Sequence, residues 1–286
     1  MNTLRCALIL LAVLSGTLSA RVWGYEPEIH QQLTFIAARA FNNCVQQASS
    51  VPRLSALDTR YIAKANVAQA GGNFFVRMFR WDYYNRDQQR NRAALGLVDT
   101  RFHDHFDELV IAVERADERH EKLRNLGRLL NYIQNVSSPP HAVPVYTGRW
   151  WRLSLGDRFN RFPVDVERLE QRVTDNCQLL DAPPDTFQQV LVDTANETLK
   201  AVSASIEGLP ATWQAYWTIA AAPEDFGDYG PAGNSFGERT EFRCGDSERC
   251  LLLENDPLYS EFALDRHAAA VLATMRAMLR MQVADP

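Results

Sequence analysis

Lysine is scarce in this chain of 286 residues, where three lysines stand beside 27 arginines. The formal net charge is −5 and the pI is about 5.7. This balance argues against a broad basic surface for duplex nucleic acid. Low-complexity runs are absent and hydrophobic residues make up 46% of the chain. These features exclude disorder, collagen and coiled coil as the main state and are typical of a globular protein.

Two familiar catalytic motifs are also missing. The sequence contains no Gly-x-Ser-x-Gly, so serine hydrolase chemistry has little support. The glycine-rich stretch at 227–237 has no lysine and no predicted strand before it. It therefore indicates a turn-rich surface loop and not a phosphate-binding loop.

Long apolar runs are confined to the beginning of the chain. Residues 1–20 carry one early positive charge at Arg5, then an apolar run, then small residues that end at Ala20. This order predicts a secretory signal peptide cleaved after Ala20. No later stretch approaches the roughly 18 apolar residues of a membrane span. We therefore expect a secreted or periplasmic protein with no transmembrane segment.

Cysteine is sparse but even in number once the predicted signal peptide leaves with Cys6. Four cysteines remain, and in an exported protein they predict two disulfides. Cys244 and Cys250 flank a short polar segment that can close locally, which leaves Cys44 to pair with Cys177. Three pairings are possible, and we favour Cys44–Cys177 with Cys244–Cys250. A thiolate metal site is less favoured because no Cys-x-x-Cys occurs.

Helical periodicity dominates the rest of the chain, and alternating strand patterns are scarce. Helices are predicted over 28–45, 56–70, 106–116, 118–137, 163–180, 186–206, 211–221 and 260–281. The segment 223–255 has loop composition and carries the predicted local disulfide. We find no repeat and no linker, so residues 21–286 are predicted to form one all-α domain, a helical bundle with a loop-rich, disulfide-stapled C-terminal segment.

Six histidines supply most of the candidate chemistry. With two acidic residues, four of them form a candidate metal-ligand set spread over separate helices and loops: His30, Asp82, His103, His105, His141 and Glu167. Ligands from separate elements can meet in a bundle core. Imidazole and carboxylate are the ligands expected for zinc in an oxidising compartment.

Each candidate also has a simpler structural interpretation. His103 and His105 point in different directions if their segment is helical and to one side if it is extended. Glu167 suits the start of a helix, where a carboxylate interacts favourably with the helix dipole. His120 lies in a charged, solvated stretch, and His267 is better interpreted as structural.

Several stretches together resemble the zinc-dependent phospholipase C and single-strand nuclease superfamily. They are Trp23-Gly24-Tyr25, the helix that carries His30, the sequence RWD at 80–82, HDHF at 103–106 and LGRLLNYIQNVSSPPHA at 126–142. The family motif His-x3-Asp-x5-His corresponds to Asn131, Asn135 and His141. A later Phe-His-x3-Glu corresponds to Phe162, Pro163 and Glu167. The resemblance covers roughly residues 23–170.

The resemblance implies a helical fold of the zinc phospholipase C type and a metal site in a cleft. The metal ligands carried over are His30, Asp82, His105, His141 and Glu167; Asp82 is also the candidate catalytic base, and Trp23, His103, Asn131 and Asn135 would line the site. Two family ligand positions hold asparagine and a third holds Pro163, which has no ligand atom. Cleavage after Ala20 also leaves two residues ahead of Trp23, whose free amine binds zinc in the family. We therefore expect one or two zinc ions at most, and possibly none.

The sequence is compatible with three functions. The first is a metal-dependent phosphoesterase that hydrolyses a small phosphodiester or a phospholipid head group, with the metal holding a hydroxide for attack. The second is a catalytically inactive family member that binds a ligand or a protein partner of unknown identity. The third is an unrelated helical, disulfide-stapled binding protein.

Overall fold

A computed structural model describes residues 25–48, 51–70, 84, 86, 102–145, 156–223, 225–245 and 248–283. The predicted signal peptide at 1–20 lies outside the described residues, as do the predicted site residues Trp23 and Asp82.

Most of the described chain is helical, as predicted. Its α-helices are α1 (Pro27–Ala48), α2 (Ala56–Ala70), α3 (Phe102–Glu114), α4 (Arg119–Asn135), the single turn α5 (Pro139–Ala142), α6 (Val166–Thr174), α7 (Phe187–Ser203) and α8 (Pro257–Val283). None of these helices combines the length and apolar character needed to cross a bilayer.

Helix α4 lies at the centre because its apolar stripe packs against α2, α3 and α8. The stripe consists of four almost fully buried residues predicted from the periodicity: Leu123, Leu126, Leu130 and Ile133. Between them, Gly127 faces α2, where an added Cβ would lie 2.3 Å from the carbonyl oxygen of Ile62. The absence of a side chain therefore lets α2 and α4 approach closely enough for their polar residues to meet.

The helix predicted over 106–116 covers Phe102–Glu114, and two other helix predictions differ more from the structure. Helix α6 covers only Val166–Thr174, and a 3-10 turn at Cys177–Leu180 follows it. Residues 211–221 form a 3-10 turn at Trp213–Ala215 and a short strand. Trp213, Tyr216 and Trp217 have helical spacing, but the backbone N–H groups of Gly230 and Ala232 donate to the carbonyls of this segment. Tertiary hydrogen bonds thus replace the predicted helix.

The predicted loop at 223–255 contains most of the β-structure of the described chain. Strands β1 (Trp217–Thr218) and β2 (Asp228–Tyr229) pair antiparallel, as do β3 (Thr240–Arg243) and β4 (Arg249–Leu252). The strands are four residues or shorter, so their alternating burial is too brief to stand out in the sequence.

Both predicted disulfides are confirmed. Cys44–Cys177 joins α1 to the 3-10 turn after α6, and Cys244–Cys250 closes the β3–β4 hairpin. Buried apolar side chains from the helices and the hairpins form one continuous hydrophobic core.

Candidate functional site

The imidazole of His30 lies fully buried between α1 and α4. Its Nδ1 is 2.7 Å from Oε1 of Gln134, and its Nε2 is 3.1 Å from Nδ2 of Asn131. A carboxamide oxygen accepts and a carboxamide nitrogen donates. Nδ1 therefore carries the proton and donates to Gln134, while Nε2 accepts from Asn131. With the two carboxamides in these orientations the ring is neutral, and both of its nitrogens are hydrogen-bonded to amide side chains.

A larger set of uncharged side chains surrounds this histidine and is called the His30 cluster below. It combines residues of α1, α2, α4 and α8: His30, Thr34, Asn66, Asn131, Gln134, Asn135 and Thr274. Nδ2 of Asn66 donates to Oε1 of Gln134 and to Oγ1 of Thr34, at 2.9 Å each. Nε2 of Gln134 donates to the hydroxyls of Thr34 and Thr274, at 3.2 Å each. Most of these buried polar groups are paired, and such networks hold the helices that they connect in one arrangement.

Asn131 and Asn135 are the two members of the His30 cluster that occupy family motif positions, and they contact each other. They lie one turn apart on α4, and Nδ2 of Asn135 donates to Oδ1 of Asn131 at 3.1 Å. Oδ1 of Asn135 is buried and has no hydrogen-bond partner in the described structure. The family resemblance places His30, Asn131 and Asn135 in one site, and they do converge.

The described residues do not fit the expected zinc site. A histidine ligand offers a ring-nitrogen lone pair to the metal, but the lone pair of His30 faces the N–H of Asn131 and its other nitrogen is protonated. Amide side chains supply no negative charge to balance a dication. Across the described ranges, no three His, Cys, Asp or Glu side chains form a group that could hold a metal ion.

His141 lies on the single turn α5, directly after Pro139 and Pro140. Its side chain is 1% exposed, and its carbonyl oxygen accepts a hydrogen bond from the backbone N–H of Tyr84 at 3.0 Å. The prolines end α4 and turn the chain, so that His141 is buried near the end of that helix.

His103 and His105 lie on the helix α3, so the helical alternative is the one that the structure shows. The ring of His103 packs edge-on against Tyr84, with centroids 5.3 Å apart. Nδ1 of His105 is 3.5 Å from Oε2 of Glu108, one turn along the helix. The two imidazoles therefore lie in different environments, one aromatic and one acidic.

Glu167 lies in the first turn of α6 with its side chain exposed. It lines the outer surface of that helix together with Glu170 and Asp175. Its position suits the helix dipole, which is the simpler interpretation of this residue.

The two remaining histidines have structural surroundings. His120 is exposed, and its Nδ1 lies 3.0 Å from Oε2 of Glu118. His267 is buried on α8, with its ring centroid 5.6 Å from that of Tyr25 and 6.1 Å from that of Phe159. Burial lowers the pKa of His267 to about 3, so its imidazole is a neutral part of the core.

A second buried polar centre was missed by sequence reasoning. The carboxylate of Asp157 accepts hydrogen bonds from Nε1 of Trp217 at 2.9 Å, the hydroxyl of Tyr229 at 2.9 Å and the backbone N–H of Phe159 at 2.8 Å. Burial raises the pKa of this carboxyl, and desolvation outweighs the three donors. The side-chain donors are 60 and 72 residues away in the sequence, so no local pattern pointed to Asp157.

Gln134 was also missed, although a signal for it existed. It lies three residues after Asn131 on a helix that the periodicity predicted, and residues at that spacing are neighbours on a helix surface.

The chain matches no protein-family model, no curated protein and no solved structure.

Proposed function

We propose that this chain is an exported binding protein that has the helical architecture of zinc-dependent phospholipases C and single-strand nucleases without their catalysis. The main support for this proposal is the buried imidazole of His30, whose two nitrogens are both hydrogen-bonded to carboxamides. The two disulfides suit a protein of an oxidising compartment.

The His30 cluster supports this proposal because each of its members has a structural partner. For zinc to bind His30, the ring would lose its bond to Asn131 or to Gln134, and a buried amide would lose a partner. Each buried polar group left without a partner costs about 1–3 kcal/mol. Metal binding at His30 therefore competes with the hydrogen bonds that stabilise the fold.

The test is a metal analysis combined with an activity assay. Purified protein is incubated with zinc, desalted and analysed for bound metal, then assayed on a chromogenic phosphodiester with and without a chelator. We expect much less than one equivalent of zinc and no chelator-sensitive hydrolysis. One or more equivalents of zinc, lost on His141→Ala, together with hydrolysis would overturn the proposal.

A second candidate function is the metal-dependent phosphoesterase with a reduced site of one or two zinc ions. The observation that favours it is the convergence of His30, Asn131 and Asn135, three positions that the family resemblance assigns to one site. In this case His105, His141 and Glu167 would join Asp82 as ligands, and the substrate would be a small phosphodiester or a phospholipid head group.

Restoring the family residues tests the alignment on which both candidates rest. The double substitution Asn131→His and Asn135→Asp should raise zinc uptake, because it supplies an imidazole and a carboxylate at adjacent positions. Asn66→Asp is the matched control, since Asn66 is as deeply buried in the same cluster but lies outside the motif. Equal zinc uptake by the control and the double variant would break the alignment.

A further inference from the structure

One face of the molecule carries opposite charges on its two halves. The basic half is a groove of about 430 Å³ between α1 and the start of α2, bordered by Arg39 and Arg60. The acidic half is the outer surface of α6, with Glu167, Glu170 and Asp175. These residues define the α1–α2–α6 face.

The two halves meet at an ion pair and are held together covalently. Nη1 of Arg39 lies 2.6 Å from Oε1 of Glu170, at the border between the groove and α6. Cys44 on α1 is bonded to Cys177, two residues after Asp175. The α1–α2–α6 face is therefore a preorganised surface and not a chance approach of two mobile elements.

Charges on both sides of this border lack ion-pair partners in the structure as described. Arg60, Glu167 and Asp175 form no ion pair with any described residue. Asp175 follows the C-terminus of α6, where a carboxylate opposes the helix dipole. The charge of Asp175 therefore does not stabilise its own helix.

Apolar side chains accompany these charges. Leu57 is 60% exposed on α2, three residues before Arg60, and Val166 is 39% exposed at the acidic end of the face. Leu57 is more exposed than any other large hydrophobic residue in the described structure, and Val166 is one of the less exposed of this group. An interface formed on this face would remove both apolar side chains from water.

We propose that the α1–α2–α6 face is the interface of a twofold-symmetric dimer of this chain. A surface that is basic on one side of a border and acidic on the other is complementary to itself. A twofold axis at the Arg39–Glu170 pair lays the basic half of each subunit on the acidic half of the other. In this arrangement Arg60 of each subunit faces Glu167 of the other subunit, so the contact occurs two times in the dimer. Leu57 of each subunit packs towards Val166 of the other. This inference does not depend on the proposed function.

Charge reversal followed by mixing tests this dimer directly. Molecular mass is measured by sedimentation equilibrium over a concentration series for the wild type, Arg60→Glu, Glu167→Arg and the control Arg124→Glu, an exposed arginine outside the groove. We expect each interface variant to dimerise at least roughly tenfold more weakly because two like-charged contacts form, and the control to match the wild type. Circular dichroism checks that each variant is folded.

Mixing the two weakened variants is the decisive step. In the mixed dimer both contacts are again between opposite charges, so dimerisation should recover when Arg60→Glu and Glu167→Arg are combined. Raising the salt from about 0.05 to about 0.5 M should weaken the wild-type dimer by screening. A wild-type protein that stays monomeric overturns the proposal, as does a dimer that Arg60→Glu leaves unchanged. If dimerisation does not recover on mixing, the proposal is also overturned, because the two residues then do not face each other across a dimer interface.

Discussion

The two buried polar centres of this protein solve the same problem in different ways. The His30 cluster buries several neutral groups, most of which are hydrogen-bonded to one another across four helices. The centre at Asp157 buries a carboxyl group that relies on donors from the β1–β2 hairpin and its own loop. A neutral network spreads its desolvation cost over many hydrogen bonds, whereas a buried acid concentrates that cost on one residue.

The largest predicted effect is at Asp157, because one side chain satisfies three donors. Asp157→Ala leaves the indole of Trp217, the hydroxyl of Tyr229 and the N–H of Phe159 without their acceptor. We expect a loss of roughly 3–5 kcal/mol in the free energy of unfolding. Urea denaturation followed by tryptophan fluorescence measures it. The exposed Asp181→Ala serves as control, and an equal loss in the control would contradict this account.

The variant Asp157→Asn tests the ionisation of this buried acid through the pH dependence of stability. The folded-state pKa of Asp157 lies above its value of 3.8 in the unfolded chain. The folded state therefore binds the proton more tightly, and the contribution of Asp157 to stability falls as pH rises from about 4 through the folded pKa. The stability of the wild type relative to Asp157→Asn should decrease over this window in urea titrations. A relative stability that increases with pH would show that the donors outweigh desolvation.

A smaller loss is expected from breaking the neutral cluster. His30→Ala removes one partner each from Asn131 and Gln134, but Gln134 keeps Asn66, Thr34 and Thr274. We expect roughly 2–4 kcal/mol in the free energy of unfolding. His120→Ala, an exposed histidine, is the matched control. If both substitutions cost the same, the His30 cluster does not hold the helices together.

The smallest effect at neutral pH is expected at His267, which lies between the two centres beside Tyr25 and Phe159. Its pKa falls from 6.5 to about 3 on burial. The unfolded chain therefore binds the proton between these values, and the stability contributed at this site falls as pH falls from 6.5 to 3. His267→Phe should make the acid limb of the stability–pH curve flatter than in the wild type. An unchanged limb would mean that His267 is not the buried neutral group described.

The helices around His30 were largely predictable and the surroundings of Asp157 were not. Regular apolar spacing marked α4, and the prolines at 139 and 140 marked its end, because these signals are local. The disulfide pairing followed from a short loop and elimination. The side-chain partners of Asp157 come from short strands that are distant in the sequence. Gln134 is a polar residue on a helix with many polar residues, and only its contacts in the structure distinguish it from the exposed ones. Long-range hydrogen bonds leave no such periodic trace.

The protonation state of the His30 imidazole decides between a structural role and a metal-binding role for this residue. Long-range ¹H–¹⁵N NMR of the histidine rings, with His30 identified by its loss in His30→Gln, reports which nitrogen carries the proton and whether zinc binds. The structure predicts a neutral ring protonated at Nδ1, unchanged by a stoichiometric addition of zinc or by a chelator. A His30 signal that shifts or disappears with zinc would contradict the account.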